Sequence, residues 1–223
     1  REDIGLEIKA RFNPKLRTIL NNKDQYPDAM IQALYRNEEL IDFVYNYPSK
    51  KGHVYTNTIG PVTKGRYPLL LQYDQRWGYG KYGYNVIGMN GCGPTSAAMI
   101  IAGLTGRNNI TPLDVASYAY SHGYYQDGTS WSFFTEGMKH YGIHGRNIPL
   151  SYSSMKNEIM NGRPLICSMK PGDFTTTGHL IVIRGMKQGM FIVNDHNSIK
   201  RSNRLWSYDT LSKQIRNIWS FSR

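Results

Sequence analysis

The stretch Asn90-Gly91-Cys92-Gly93-Pro94-Thr95-Ser96 is the most informative part of the sequence. Glycine on both sides of Cys92 favours tight turns and leaves the sulfur uncovered. Pro94 and the apolar run that continues to Leu104 predict a buried helix that begins at the cysteine. Unpaired N–H groups at a helix start lower a thiol pKa and can receive the oxyanion of an attacked carbonyl. The stretch therefore indicates a nucleophilic cysteine, with a small buried cysteine in a glycine turn as the alternative.

A cysteine nucleophile needs a base, and His179 is the best candidate of the six histidines. It follows the polar, glycine-bounded loop 171–178 and begins a β-branched strand, so it can face a cleft while the strand holds it rigidly. The alternative is an ordinary surface histidine at a strand end. Four other histidines lie in connectors or at helix ends and are interpreted as structural or solvated: His53, His122, His140 and His144.

Asp195 is the candidate for the residue that orients the imidazole. It ends the apolar run 190–194, and a turn at Gln188-Gly189 predicts a hairpin between that run and the strand that begins at His179. In such a hairpin the two side chains are near neighbours. Asn194 and Asn197 are alternative orienting residues, and an ordinary strand-end turn is the alternative for Asp195 itself.

Gln72 closes the run Leu69-Leu70-Leu71 and can supply a side-chain N–H to an oxyanion hole, together with the N–H of Cys92. Gln75 competes for this role, and a solvent-facing glutamine is the alternative for either residue.

A zinc site is a rival interpretation of the same residues. Cys92, His179, Asp195 and His196 are permissible ligand types, but their dispersed spacing provides no local pair to nucleate a site. The other cysteine, Cys167, sits inside an apolar strand and is interpreted as a core residue. We therefore expect no metal and no organic cofactor.

The periodicity predicts an α+β molecule with a helical layer packed on an antiparallel sheet. Residues 1–66 form a predicted N-terminal helical extension and connector, with helices to about residue 47 and a break at Tyr47-Pro48. Residues 67–223 form the predicted catalytic domain. Its predicted elements are a strand at 68–72, helices at 92–104, 112–122, 130–141 and 153–160, and strands at 165–169, 179–184, 190–194 and 215–221.

The chain carries a net charge of +11, from 27 Lys and Arg against 16 Asp and Glu. A field of that sign attracts polyanions, including anionic cell-wall polymer. The basic residues form no concentrated run, so nucleic acid is not an expected partner. No apolar run approaches the length of a membrane span, and the chain begins at Arg1, so we expect any export signal upstream. The pattern does not predict an oligomeric state.

Four segments together resemble the bacteriocin-processing, double-glycine leader peptidases, a family of papain-like cysteine peptidases, and in particular their stand-alone exported branch. The segments are 68–74, 91–99, 178–183 and 191–195, and the resemblance covers about residues 67 to 221. It implies a papain-like fold, with Cys92 as nucleophile, His179 as base, Asp195 as orienting residue and Gln72 as oxyanion donor. The N-terminal helices resemble an element of exported relatives, which implies an extracellular or envelope location.

One departure concerns the glutamine. Transporter-linked members have it a few residues before the cysteine, whereas Gln72 precedes Cys92 by 20 positions here. With no transporter attached, a double-glycine leader is not the expected substrate.

The expected reaction is cleavage of an amide bond in a peptide or protein through an acyl-enzyme. A second hypothesis is peptidoglycan amide cleavage or acyl transfer, with a cell-wall peptide as substrate. A third is a non-catalytic envelope-binding module in which the tyrosine-rich segments Tyr79–Tyr84 and Tyr118–Tyr125 line a carbohydrate or peptide groove.

Overall fold

The N-terminal part of the chain is helical. The computed structural model describes residues 2–223, with side chains from residue 5 onward. Four α-helices follow one another, with 3-10 turns at Lys23–Gln25 and Glu38–Leu40: α1 (Glu2–Ala10), α2 (Pro14–Asn21), α3 (Asp28–Arg36) and α4 (Ile41–Lys50). The predicted break at Tyr47-Pro48 is wrong, because α4 continues through Pro48 to Lys50. A proline so near the end of a helix removes only one late backbone bond.

Seven more α-helices follow in the described part of the chain, and the longest of them begins at the cysteine. They are α5 (Ile87–Asn90), α6 (Cys92–Thr105), α7 (Pro112–Ser121), α8 (Ser132–Thr135), α9 (Tyr152–Met160), α10 (Ile199–Ser202) and α11 (Tyr208–Ser212). The single helix predicted over 130–141 is wrong: α8 ends at Thr135, and a 3-10 helix spans Gly137–Tyr141. The Phe133 ring lies only 2.4 Å from where a Cβ at position 137 would stand, so glycine permits this tight local packing.

The strands form a small hairpin and one six-stranded antiparallel sheet. The hairpin pairs β1 (Lys81–Tyr82) with β2 (Asn85–Val86), and the sheet has the order β3-β8-β4-β5-β6-β7. Its strands are β3 (His144–Asn147), β4 (Leu165–Met169), β5 (His179–Lys187), β6 (Met190–Asn194), β7 (Leu205–Trp206) and β8 (Ile215–Ser222). The strand predicted at 68–72 is wrong. Within residues 2–223, the segment 68–72 pairs with no strand. Among the described backbone bonds, the one that joins it to the segment after β6 runs from the N–H of Gln72 to the carbonyl oxygen of His196, at 2.8 Å.

Both faces of the large sheet are covered. On one face, the apolar side chains of α6, α7 and α8 pack against alternate residues of β4, β5 and β8. On the other face, Met155 of α9 and Leu211 of α11 pack against the intervening residues, including the fully buried Cys167. The sequence predicts one helical layer, and the second cover explains why every residue of β4 is buried.

The N-terminal helices share a hydrophobic core with the segment that precedes α6. Phe43 of α4 stacks on Tyr79 with ring centroids 4.5 Å apart, and the Tyr79 hydroxyl donates to the carbonyl of Phe43 at 2.8 Å. Tyr73 belongs to the same buried cluster.

None of the helices formed by residues 2–223 has the length and apolar character that a membrane span requires.

Candidate active site

Cys92 is the first residue of α6 and is half-buried. The flanking glycines are required by close packing. A Cβ at Gly91 would lie 2.5 Å from the carbonyl oxygen of Ile87, and one at Gly93 would lie 2.2 Å from Oγ1 of Thr129. Both distances are below any normal contact, so larger residues here would displace the turn that holds the sulfur. Behind it, residues 93–103 of α6 are all buried, which fixes the position of the helix start.

The thiol of Cys92 differs from the sequence-based expectation. Burial raises its pKa to about 11, while the backbone N–H groups of Gly93 and Cys92 act in the opposite direction. The expectation of a lowered pKa is wrong because the loss of solvation outweighs these N–H groups, and the nearby Asp195 carboxylate adds to the rise. The unassisted thiol is therefore protonated at neutral pH.

The hairpin predicted between β5 and β6 is present, with its turn at Gln188 and Gly189, both in the left-handed region at φ 54° and 74°. It brings His179 and Asp195 together. Nε2 of His179 lies 2.8 Å from Oδ1 of Asp195. Because the carboxylate accepts this hydrogen bond, Nε2 carries the proton, and Nδ1 is the ring nitrogen that can take up a proton. His179 lines the cleft that also exposes Cys92.

The Asp195 carboxylate is fully buried and held on both oxygens. Oδ1 also accepts from the N–H of Asn197 at 2.9 Å, and Oδ2 accepts from Nε of Arg201 at 2.7 Å. Burial alone would raise the pKa of Asp195. The charge and hydrogen bond of His179 have the opposite effect, as do the charges of His196 and Arg201, and together they hold this pKa well below its ordinary value. Asp195 is therefore ionised throughout the neutral range.

His196 is a buried histidine that the sequence singled out only as a zinc ligand. Its ring lies 4.5 Å from the ring of His179, its Nε2 donates to the carbonyl of Leu180 at 2.7 Å, and its own carbonyl accepts the N–H of Gln72. Its Nδ1 has no hydrogen-bond partner among the described residues. Burial lowers the pKa of His196 to about 3, with the charge of His179 adding to the effect, so the ring is neutral at neutral pH. A buried histidine gives no signal in the sequence beyond its position after Asp195.

Gln72 is buried and lines the cleft beside Cys92. Its Nε2 donates to the carbonyl of Gly88 at 2.9 Å, while its Oε1 has no partner in the described part of the chain. Since a carbonyl can only accept, the orientation of the amide is fixed, and the second Nε2 hydrogen has no partner among the described residues. Gln75 is placed differently: its Oε1 accepts from Asn46 and Lys50 of α4, and Gln75 is not part of the cleft lining.

The cleft around Cys92 and His179 has a volume of about 460 Å³, and the N-terminal helices form one of its walls. The wall residues from this part of the chain are Ala33, Arg36, Asn37 and Leu40, and the loop 172–178 lies on another side. Asn37 donates to the carbonyl of Asn197 at 2.8 Å, and the carboxylate of Glu39 accepts from Ser198 Oγ at 2.8 Å and Ile199 N at 2.7 Å. The extension is thus bonded to the segment that immediately follows Asp195.

His179, Asp195 and His196 offer ligand atoms within 4.8 Å of one another, which tests the zinc interpretation. Both oxygens of Asp195 are already used, and the guanidinium of Arg201 stands against one of them. His196 Nε2 is also used, since it bonds to the Leu180 carbonyl. A bound cation would have to displace Arg201 and break the His179–Asp195 bond, so the arrangement fits a hydrogen-bonded histidine better than a metal ion.

This architecture defines a class of protein. A buried helix that begins at a cysteine and packs on an antiparallel sheet carrying a histidine–aspartate pair is the arrangement of papain-like cysteine peptidases. A family model described as the Peptidase_C39 like family matches residues 64–222, and the chain belongs to this family. The resemblance stated from the sequence is confirmed, as is the α+β fold with a helical layer packed on an antiparallel sheet.

Among solved structures, the chain is similar to the peptidase domain of Streptococcus ComA, a bi-functional ABC transporter involved in a quorum sensing pathway. It shares 19% sequence identity with the chain at a TM-score of 0.46, and the match covers 70% of this chain and 96% of that one. No curated protein matches the chain.

Proposed function

We propose that the protein cleaves an amide bond in a peptide or protein, with Cys92 as nucleophile, His179 as general base and Asp195 as the orienting residue. The observation that carries the proposal is the 2.8 Å bond between His179 Nε2 and a buried, ionised Asp195, in a cleft that also exposes Cys92. This bond fixes the tautomer in which Nδ1 is unprotonated and able to take a proton.

The raised thiol pKa determines how the attack begins. Because burial raises the pKa of Cys92 to about 11, the thiol keeps its proton until His179 removes it as the sulfur bonds to the carbonyl carbon. The developing oxyanion is received by the Nε2–H of Gln72 and the N–H at the start of α6. His179 then donates the proton to the leaving amine, and a thioester remains. Water attacks the thioester with His179 as base, which releases the acid and restores the thiol.

We further propose that the protein works outside the cell or at the cell envelope, on a peptide of that compartment. The net charge of +11 supports contact with an anionic polymer of the cell wall. Incubation with purified cell walls and with an unstructured protein separates the two substrate classes. Loss of wall turbidity favours a peptidoglycan amide, and new peptide termini in the protein favour a protein substrate.

Thiol labelling tests the catalytic assignment. At pH 7 iodoacetamide should label the native protein, Cys92→Ala should abolish that labelling, and His179→Ala should slow it. The dependence on His179 should shrink as the pH rises through 11, since the thiol then ionises without a base. The same two variants should each lose at least about 10²-fold of kcat/KM on a peptide library. Equal labelling of the Cys92→Ala variant and the parent would remove the nucleophile from the proposal.

A further inference from the structure

Two tight turns place tyrosines at the surface beside the cysteine helix. The first joins β1 to β2 through Gly83 and Tyr84, with Gly83 in the left-handed region at φ 60°. The second is closed by a bridge between Tyr125 and Thr129, with Asp127 at φ 49°. At the tip of the first turn Tyr84 is 89% exposed, although an aromatic ring ordinarily gains by burial.

Tyr125 is the centre of a group of inclined rings. Its centroid lies 4.8 Å from that of Tyr82, 5.5 Å from that of Tyr120 and 6.2 Å from that of Tyr84, with interplanar angles of 56°, 51° and 53°. A Cβ at Gly83 would lie 2.1 Å from the Tyr125 ring, so the ring fills the space that glycine leaves free. Tyr82 is buried beneath the group, and the other three rings line a surface cavity with a volume of about 520 Å³.

The charge of this cavity is opposite to that of the molecule. It is lined by Tyr84, Tyr120, Tyr125, Gln126 and Asp127. Asp127 is the one charged residue of this lining, is exposed and forms no ion pair among residues 5–223, whereas the whole chain carries +11. Tyrosine faces and a carboxylate attract a cation together, since the ring quadrupole is negative over the face. An anionic ligand would meet repulsion here.

The cavity is connected to the turn that carries the nucleophile. Nδ2 of Asn90 lies 3.3 Å from the Tyr125 hydroxyl, and the hydroxyls of Tyr82 and Thr129 are 2.6 Å apart. Thr129 in turn packs against Gly93, next to Cys92. We propose that this cavity, the tyrosine site, binds the ammonium group of a lysine side chain in the peptide substrate, at a distance from the bond that is cut. The inference rests on the proposed function for the identity of the ligand.

Binding tests the tyrosine site without relying on catalysis. The protein used is the full chain with Cys92→Ala, and the probes are Nα-acetyl-lysine N-methylamide and its norleucine counterpart, which has a similar side-chain length without the charge. In NMR titrations the lysine probe should bind about three- to tenfold more tightly and shift the signals of Tyr84, Tyr120 and Tyr125. Tyr120→Leu and Asp127→Asn should each remove this preference. Tyr55→Leu is the control, because Tyr55 is equally exposed but lies elsewhere.

Equal binding of the two probes, or no shift at these tyrosines, would overturn the tyrosine site. Tighter binding of choline than of the lysine probe would overturn the assignment to a peptide. If the lysine preference is present but no peptide is cut by the unsubstituted chain, the proposed hydrolysis fails while the site stands. If peptides are cut without any preference for lysine, and the probes bind equally, the site fails alone.

Discussion

At the scale of single residues, the site depends on how burial sets the proton affinity of each group. Burial raises the pKa of Cys92, while paired charges keep Asp195 ionised. The sequence pointed to Cys92, His179, Asp195 and Gln72, because a glycine turn, a strand start and a strand end are local patterns. It gave the wrong direction for the thiol pKa, since solvation depends on what the fold places around the sulfur. The same limit applies to His196, whose burial no local pattern reveals.

His196 should make the protein less stable in mild acid. Its pKa falls from an ordinary value of 6.5 to about 3 on folding, so between these values the unfolded chain binds more protons and stability decreases as the pH falls. From pH 7 to pH 4.5 this effect amounts to about 2–3 kcal/mol. His196→Gln can keep a donor for the Leu180 carbonyl but does not titrate. Between pH 7 and pH 4.5, the free energy of unfolding in urea should therefore fall by about 2–3 kcal/mol less in this variant than in the unsubstituted protein.

His144→Gln is the control for this measurement, because His144 is exposed on β3 and its replacement should leave the pH dependence as it is. A His196→Gln variant whose stability fell with pH as steeply as that of the unsubstituted protein would contradict the buried neutral state.

At the scale of elements, the hairpin, the cysteine helix and the strands at 165–169 and 215–221 were predictable because each is an apolar run bounded by turn residues. The short pieces were not. Strand β3 pairs with β8 although its residues are mostly exposed, and the 3-10 helix after α8 depends on the Phe133 ring above Gly137. The pairing of β3 is decided by tertiary packing, which a local pattern does not contain. The contact between Phe133 and Gly137 is local, but the apolar periodicity of 130–141 does not reveal it. The role of α3 as a cleft wall is equally non-local.

The hydrogen bonds between Glu39 and the segment after Asp195 predict that Glu39 contributes more to stability than its neighbour Glu38. Glu39 accepts from Ser198, Ile199 and the Tyr73 hydroxyl, so Glu39→Ala should lower the free energy of unfolding by about 2 kcal/mol and also reduce kcat/KM. Glu38→Ala should change stability by at most about 0.5 kcal/mol, because the one side-chain bond of Glu38 among residues 5–223 is an exposed ion pair with Lys9. Urea unfolding and peptide hydrolysis measure both effects, and equal losses for the two variants would refute the difference.

At the scale of the whole molecule, the sequence division at residue 66 does not coincide with a division of the core. Phe43 of the extension contacts Tyr79, and its ring lies against Gly78 and Gly88 so closely that a Cβ at either glycine would be within 2.8 Å of it. The proposed catalytic part and the extension therefore bury apolar surface together, which sequence periodicity cannot reveal because each helix can be read only by itself.

We expect the extension and the remainder to unfold together. Phe43→Ala should cost about 3–5 kcal/mol, because it empties a fully buried site. All four tryptophans lie outside α1–α4, so tryptophan fluorescence reports on the remainder while far-UV circular dichroism also reports on the helices. Phe43→Ala should lower the urea midpoint of both transitions by the same amount. Phe12→Ala, at an 85% exposed position, should leave both midpoints unchanged. A dichroism change that precedes an unaltered fluorescence transition would show two independent units.

The fully buried Cys167 is a natural reporter of global unfolding, because it becomes accessible to reagents when the chain unfolds. It lies in the middle of β4 with no exposed surface, whereas Cys92 is half-buried and lines the cleft, so in the native state a reagent reaches Cys92 and not Cys167. A pulse of alkylating reagent, set long enough to label Cys92 fully in the folded protein, should then add one mass increment to each folded chain and two to each unfolded chain. Mass spectrometry of mixtures taken over time would count the two populations directly and give the rate of global opening without any engineered probe.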